Sequence, residues 1–161
     1  MVIDNSKAAI RDRKLTYGML AVFIMTVSAI MLAEIFDKPI LGIKREYFAL
    51  VITFIYVAIT LYRLVLNLNY IYYTDNGGKI VLKYYSLRPF MQNRKTIEIP
   101  RGALIKFVIS ESFFEHKKTL VLYQKIKNKT ARYPEISLSA LTEDEFGKMR
   151  ASLNAFSLEK E

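Results

Sequence analysis

The chain has 161 residues, a net charge of +9, one histidine and no cysteine. That excludes disulfides, a thiolate metal site, a thiol nucleophile and a multi-histidine metal centre. Hydrophobic residues make up 52% of it, and where they fall along the chain sets the reading more than their number does.

The opening segment, residues 1–14, is polar and carries Lys7, Arg11, Arg13 and Lys14. A signal peptide begins with similar charge, but the apolar run that follows is too long for an h-region and no small-residue cleavage site closes it. The segment is read as a basic flank. Two runs come next, Leu15–Phe36 and Tyr47–Leu68. Each holds about 20 residues, and ~20 residues at 1.5 Å rise cross the ~30 Å hydrocarbon layer of a bilayer. Asp37-Lys38-Pro39 separates them, since proline cannot continue a helix and restricts the residue before it. Gly42 and Lys44-Arg45-Glu46 complete the connection. The chain therefore divides into the flank 1–14, a two-span membrane hairpin 15–68 and a remainder 69–161, large enough for one domain and too small for two.

Two charges sit inside the spans. Glu34 lies near the outer end of the first, and Arg63 about five residues, or ~7 Å, from the inner end of the second. At opposite depths they are not expected to pair. Both read as membrane-interface anchors, the arginine stem snorkelling to the headgroups. No charge occupies either centre, which argues against an ion or proton path. The N-terminal flank has four basic residues and the connection three, and the second span leads into a basic region. The Lys/Arg bias therefore places both termini in the cytoplasm.

After Asn69 the texture changes to short alternating runs. Tyr70–Thr74 and Lys79–Tyr85 flank Asp75-Asn76-Gly77-Gly78, a hairpin signal because such turns need residues that tolerate positive φ. Arg88-Pro89 interrupts the second run. Thr96–Ile99 alternates, with Ile97 and Ile99 on one face, and Pro100-Arg101-Gly102 turns the chain into Ile105–Ser110. Leu120–Lys125, a polar turn at Lys127-Asn128-Lys129 and a last strand over Ile136 and Leu138 follow. Thr142-Glu143-Asp144-Glu145 has the form of a capping box, with acids at the positive end of the helix dipole. Behind it Phe146, Met149, Leu153 and Phe156 form one helical stripe. The expectation is α+β: six or seven short antiparallel strands and one C-terminal amphipathic helix laid against the sheet.

Charge is uneven across this region. Residues 70–133 hold 13 Lys/Arg against 4 Asp/Glu, whereas residues 134–161 hold 3 against 6. The candidate binding residues are Lys79, Lys83, Arg88, Arg94, Lys95, Lys125, Lys127 and Lys129. A basic stretch just after a membrane span favours anionic headgroups, at roughly 1 kcal/mol per Lys/Arg near the surface. An acidic protein partner fits the same charge, other membrane subunits or a second copy are the further partner expectations, and a solvated surface is the plain alternative. Nucleic acid is not expected of a domain tied to a membrane. No catalytic set stands out: Glu115-His116 adjoins Lys117-Lys118 in a loop, there is no nucleophile elbow, and Gly77-Gly78 is a turn rather than a phosphate loop. The expectation is a non-enzyme without cofactor or metal.

The strand order, the Ile97-Glu98-Ile99-Pro100 strand end leading to Leu104–Val108, and the closing helix from Thr142 resemble the pleckstrin-homology-like domain of small two-span bacterial membrane proteins. The resemblance implies an antiparallel PH-like sandwich or partly open barrel, anchored in the bacterial inner membrane and acting as a binding module. Eukaryotic relatives of that fold bind phosphoinositides through a basic motif on the first hairpin. Lys79 and Lys83 lie on the corresponding hairpin here, at a spacing that departs from the motif. A structural accessory subunit of a larger membrane complex is the alternative function, and a small membrane enzyme the weaker one.

Overall fold

Both apolar runs are helical, but their limits differ from those read off hydropathy. In the computed structural model, which describes residues 1–33, 44–88, 93–112, 117–127 and 129–158, α1 spans Ser6–Leu32 and α2 spans Arg45–Leu66. The chain forms two units, residues 11–65 and residues 1–10 with 66–161.

In the first unit α1 and α2 run antiparallel. Phe23 stacks on Tyr56 with ring centroids 4.2 Å apart, and the Arg45 guanidinium donates to the Met31 carbonyl at 3.4 Å. Both helices are long and apolar enough to cross a membrane. Their side chains face outward: Leu32, Phe54 and Met25 are 82%, 72% and 71% exposed. An exposed apolar surface of this kind is compatible with a membrane span or with packing against another apolar face. Thr16, Thr26, Thr53 and Thr60 each donate to the carbonyl four residues back, at 2.8–2.9 Å, so these four hydroxyls are satisfied within their own helices.

Arg63, read as a membrane-interface anchor, also makes a contact that the sequence does not foretell. Its guanidinium lies 2.7 Å from the Asp12 carboxylate and 2.9 Å from the Thr16 hydroxyl, an ion pair between the helices. The cause is the early start of α1, which puts Asp12 on helix opposite Arg63. Glu34 lies outside the described residues.

The second unit is built from two antiparallel sheets and a helix. Sheet 1 has the order β1 (Val2–Asp4), β2 (Asn69–Thr74), β3 (Lys79–Ser86), β4 (Lys95–Pro100). Sheet 2 has β5 (Leu104–Ser112), β6 (Lys117–Ile126) and β7 (Lys129–Arg132), with β8 (Ile136–Ser137) also paired to β6. The turn between β2 and β3 uses Gly77 at φ 75° and Gly78 at φ 78°, conformations that favour glycine. Ile71, Ile80, Leu82, Ile97, Leu120 and Leu122 fill one core from both sheets. α3 (Glu143–Phe156) closes it with Phe146, Met149 and Leu153. Burial of each of those three contributes roughly 1.5–3 kcal/mol. Its start is a complete capping box: Glu145 N–H donates to the Thr142 hydroxyl at 3.3 Å and Thr142 N–H to the Glu145 carboxylate at 2.9 Å.

The opening segment is more than a basic flank. Val2–Asp4 adds an edge strand to β2, with Ile3 buried opposite Tyr73. Asn5 then carries the chain from strand to helix. Its side-chain amide accepts from the Ile71 N–H at 2.8 Å and donates to the Asn69 carbonyl at 3.1 Å. The ladder thus continues through a side chain while the Asn5 backbone carbonyl accepts from Ala9 at 2.9 Å to start α1. Ser137, which alternation would place outward, is buried; its hydroxyl donates to the Leu66 carbonyl at the end of α2, 2.9 Å away.

Candidate functional site

The two ends of the β unit differ in chemistry. At the near end both connections to the hairpin are made: β1 runs into α1 through Asn5, and α2 ends three residues before β2 begins. Arg88 follows β3 here, Arg94 precedes β4 and Lys95 opens it. The far end carries the 75–78 turn, the turn after Pro100 and the tip of the β6–β7 hairpin. These features are tied together by Arg101 N–H donating to the Gly78 carbonyl at 2.9 Å and Lys125 N–H to the Ala103 carbonyl at 2.8 Å. β3, which joins the two ends, is eight residues long. At ~3.3 Å per residue they lie about 23 Å apart.

The eight basic candidates therefore form no single patch. Arg88, Arg94 and Lys95 belong to the near end, Lys79, Lys125, Lys127 and Lys129 to the far end, and Lys83 lies between them on the outer face of sheet 1. Strand alternation turns Tyr70, Tyr72, Lys83 and Tyr85 to that face while Ile71, Tyr73, Leu82 and Tyr84 enter the core. Tyr70 stacks on Tyr85 at 4.7 Å, Arg94 lies over Tyr85 at 5.8 Å, and the Lys83 ammonium lies 5.7 Å from the Tyr72 ring. Burial, reinforced by the Asp4 carboxylate, pushes the Tyr70 hydroxyl up to about 12, so this ring is held neutral in a row flanked by cations.

The individual cations differ in freedom. Lys79 is engaged by Glu98 at 2.6 Å, and that hydrogen bond holds the Glu98 carboxyl below the usual range. Lys125, Lys127 and Lys129 are without an acidic partner among the described residues, and Ile126 at the same tip is 49% exposed. An open groove of about 800 Å³ beside them is lined by Ile126, Lys127, Lys129, Thr130 and Ala131. Among the described residues no three His, Cys, Asp or Glu side chains come together as a metal site. Glu115 and His116 lie outside them.

Sequence reasoning missed Asp12, Asn5 and the tyrosine row. The row had a readable signal, since Tyr70, Tyr72 and Tyr85 fall at alternating positions on strands that pair. No family model, curated protein or solved structure matches the chain.

Proposed function

We propose that the protein is a non-catalytic, membrane-anchored binding module, a PH-like domain held at the cytoplasmic face of a bacterial inner membrane by two spans. The observation that carries this reading is that both connections to the apolar helices leave one end of one sheet. Only Asn67 and Leu68 separate α2 from β2, and Asn5 alone separates β1 from α1, so the near end is the end through which the chain enters and leaves the apolar helices. Arg88, Arg94 and Lys95 then reach anionic headgroups, and Tyr70 and Tyr85 offer rings with a polar tip suited to the interfacial layer. The antiparallel strands closed by a capped C-terminal helix support the PH-like assignment, and the Lys/Arg bias supports cytoplasmic termini.

Two measurements on the intact protein test this. Alkaline carbonate washing of membranes is expected to leave the chain with the lipid, and its release into the supernatant would remove the anchor. In nanodiscs, headgroup-labelled lipid is expected to quench tyrosine fluorescence more in anionic than in neutral discs. Arg94→Glu with Lys95→Glu should reduce the difference; equal quenching in both discs would remove the headgroup contact.

A further inference from the structure

We infer that the free edge of β7 is a docking site for an acidic extended segment of a partner protein, which joins sheet 2 as an added strand. The backbone geometry is the first ground. Tyr133 N–H donates to the Leu122 carbonyl at 2.9 Å, so in the β6–β7 register the backbone groups of Ala131 and Lys129 face β6. Those of Thr130 and Arg132 face the other way. Among the described residues no strand pairs with that side of β7, and Lys129, Thr130 and Arg132 are exposed. Unpaired N–H and C=O groups along an edge are a template for another strand.

Charge decides which strand. Antiparallel pairing of two β7 edges through their outward groups would set Thr130 opposite Arg132 and gather Lys129 and Arg132 of both copies along one seam, with no acidic residue of β7 to offset them. A second copy is therefore disfavoured. An acidic chain is favoured, because Lys125, Lys127 and Lys129 crowd the tip without acidic partners among the described residues, and only an exposed ion pair at 3.4 Å occupies Arg132. The open groove adds shape. Ile126 lies opposite Lys129, and Ala131 two residues on shares that face, so an apolar side chain on the incoming strand has Ala131 and Ile126 to rest against. The complementary sequence is thus acid, two β-branched residues, acid. It reads the same in both directions and suits either strand orientation. Lipid headgroups satisfy the lysines but not the peptide groups of Thr130 and Arg132.

This inference does not depend on the membrane reading, because the tip is at the far end and the test is run on the full chain in neutral detergent. The probe is a fluorescent Ser-Glu-Val-Val-Glu-Ser peptide with blocked ends, followed by anisotropy. Saturable binding is expected, weakened about tenfold by Lys127→Glu with Lys129→Glu. Thr130→Pro keeps every charge and removes one outward N–H, a change that edge strands tolerate; binding is expected to be lost while thermal unfolding is unchanged. Should that variant unfold, the same peptide N-methylated at both valines supplies the backbone test on the native protein, and it is expected not to bind. No binding of the probe, equal binding of the methylated peptide, or capture of anionic vesicles with no peptide binding would each overturn the proposal.

Discussion

A side-chain amide can stand in for a peptide unit, and Asn5 does so where the chain passes from β1 to α1. Replacing it removes the partners of both the Ile71 N–H and the Asn69 carbonyl in a buried setting. Each orphaned group costs about 1–3 kcal/mol, so Asn5→Ala is expected to destabilise the β unit by about 2–4 kcal/mol, read as a lower urea midpoint for the intact protein in detergent. Asn5→Asp keeps the acceptor for Ile71 but turns an oxygen toward the Asn69 carbonyl, and should recover only part of the loss. Nothing in residues 1–14 flags this asparagine. Its partners lie more than sixty positions away, and only the paired sheet brings them to it.

Elements were legible where their determinants are local. The start of α3 needs only Thr142 and Glu145, three residues apart, and it forms as read. Thr142→Ala is expected to cost about 1 kcal/mol through loss of the cap, measurable as a small shift in thermal midpoint without loss of helical circular dichroism at low temperature. β7 went unread because three of its four residues are exposed and show no alternation; its pairing with β6 makes it a strand. The Asp12–Arg63 pair is likewise a property of two elements. With both side chains about four-fifths buried, removing one partner leaves the other desolvated. Arg63→Met or Asp12→Leu alone should lower the detergent melting temperature, while the double variant should lie closer to the native protein than the sum of the two. A double-mutant cycle with a coupling energy of about 1–2 kcal/mol would establish the pair.

At the scale of the whole molecule, a buried polar contact joins sheet 1 to α3 in addition to their shared apolar core. Tyr73 meets the Ser152 hydroxyl at 2.7 Å, and Ser152 donates to Asp75, also at 2.7 Å. Burial pushes the Tyr73 hydroxyl up to about 12 from an ordinary value of 10.0. A proton held more tightly in the folded state favours folding less once the unfolded chain begins to lose it. The tyrosine contribution to stability should therefore be level up to about pH 10 and decline from there toward about pH 12, followed by urea unfolding together with tyrosinate absorbance. Tyr73→Phe should be less stable at neutral pH by about 1 kcal/mol, for the lost hydrogen bond, and show a shallower alkaline decline. By itself the sequence determined the two apolar helices, most strands, the glycine turn and the capped helix, because hydropathy, alternation and capping act over neighbouring residues. Only the tertiary structure recruited Val2–Asp4 into sheet 1, matched Asp12 to Arg63, buried Ser137 against Leu66, and parted the basic candidates between two ends. Those outcomes depend on which strands and helices meet, and a contact between distant residues leaves no trace in the local pattern of either.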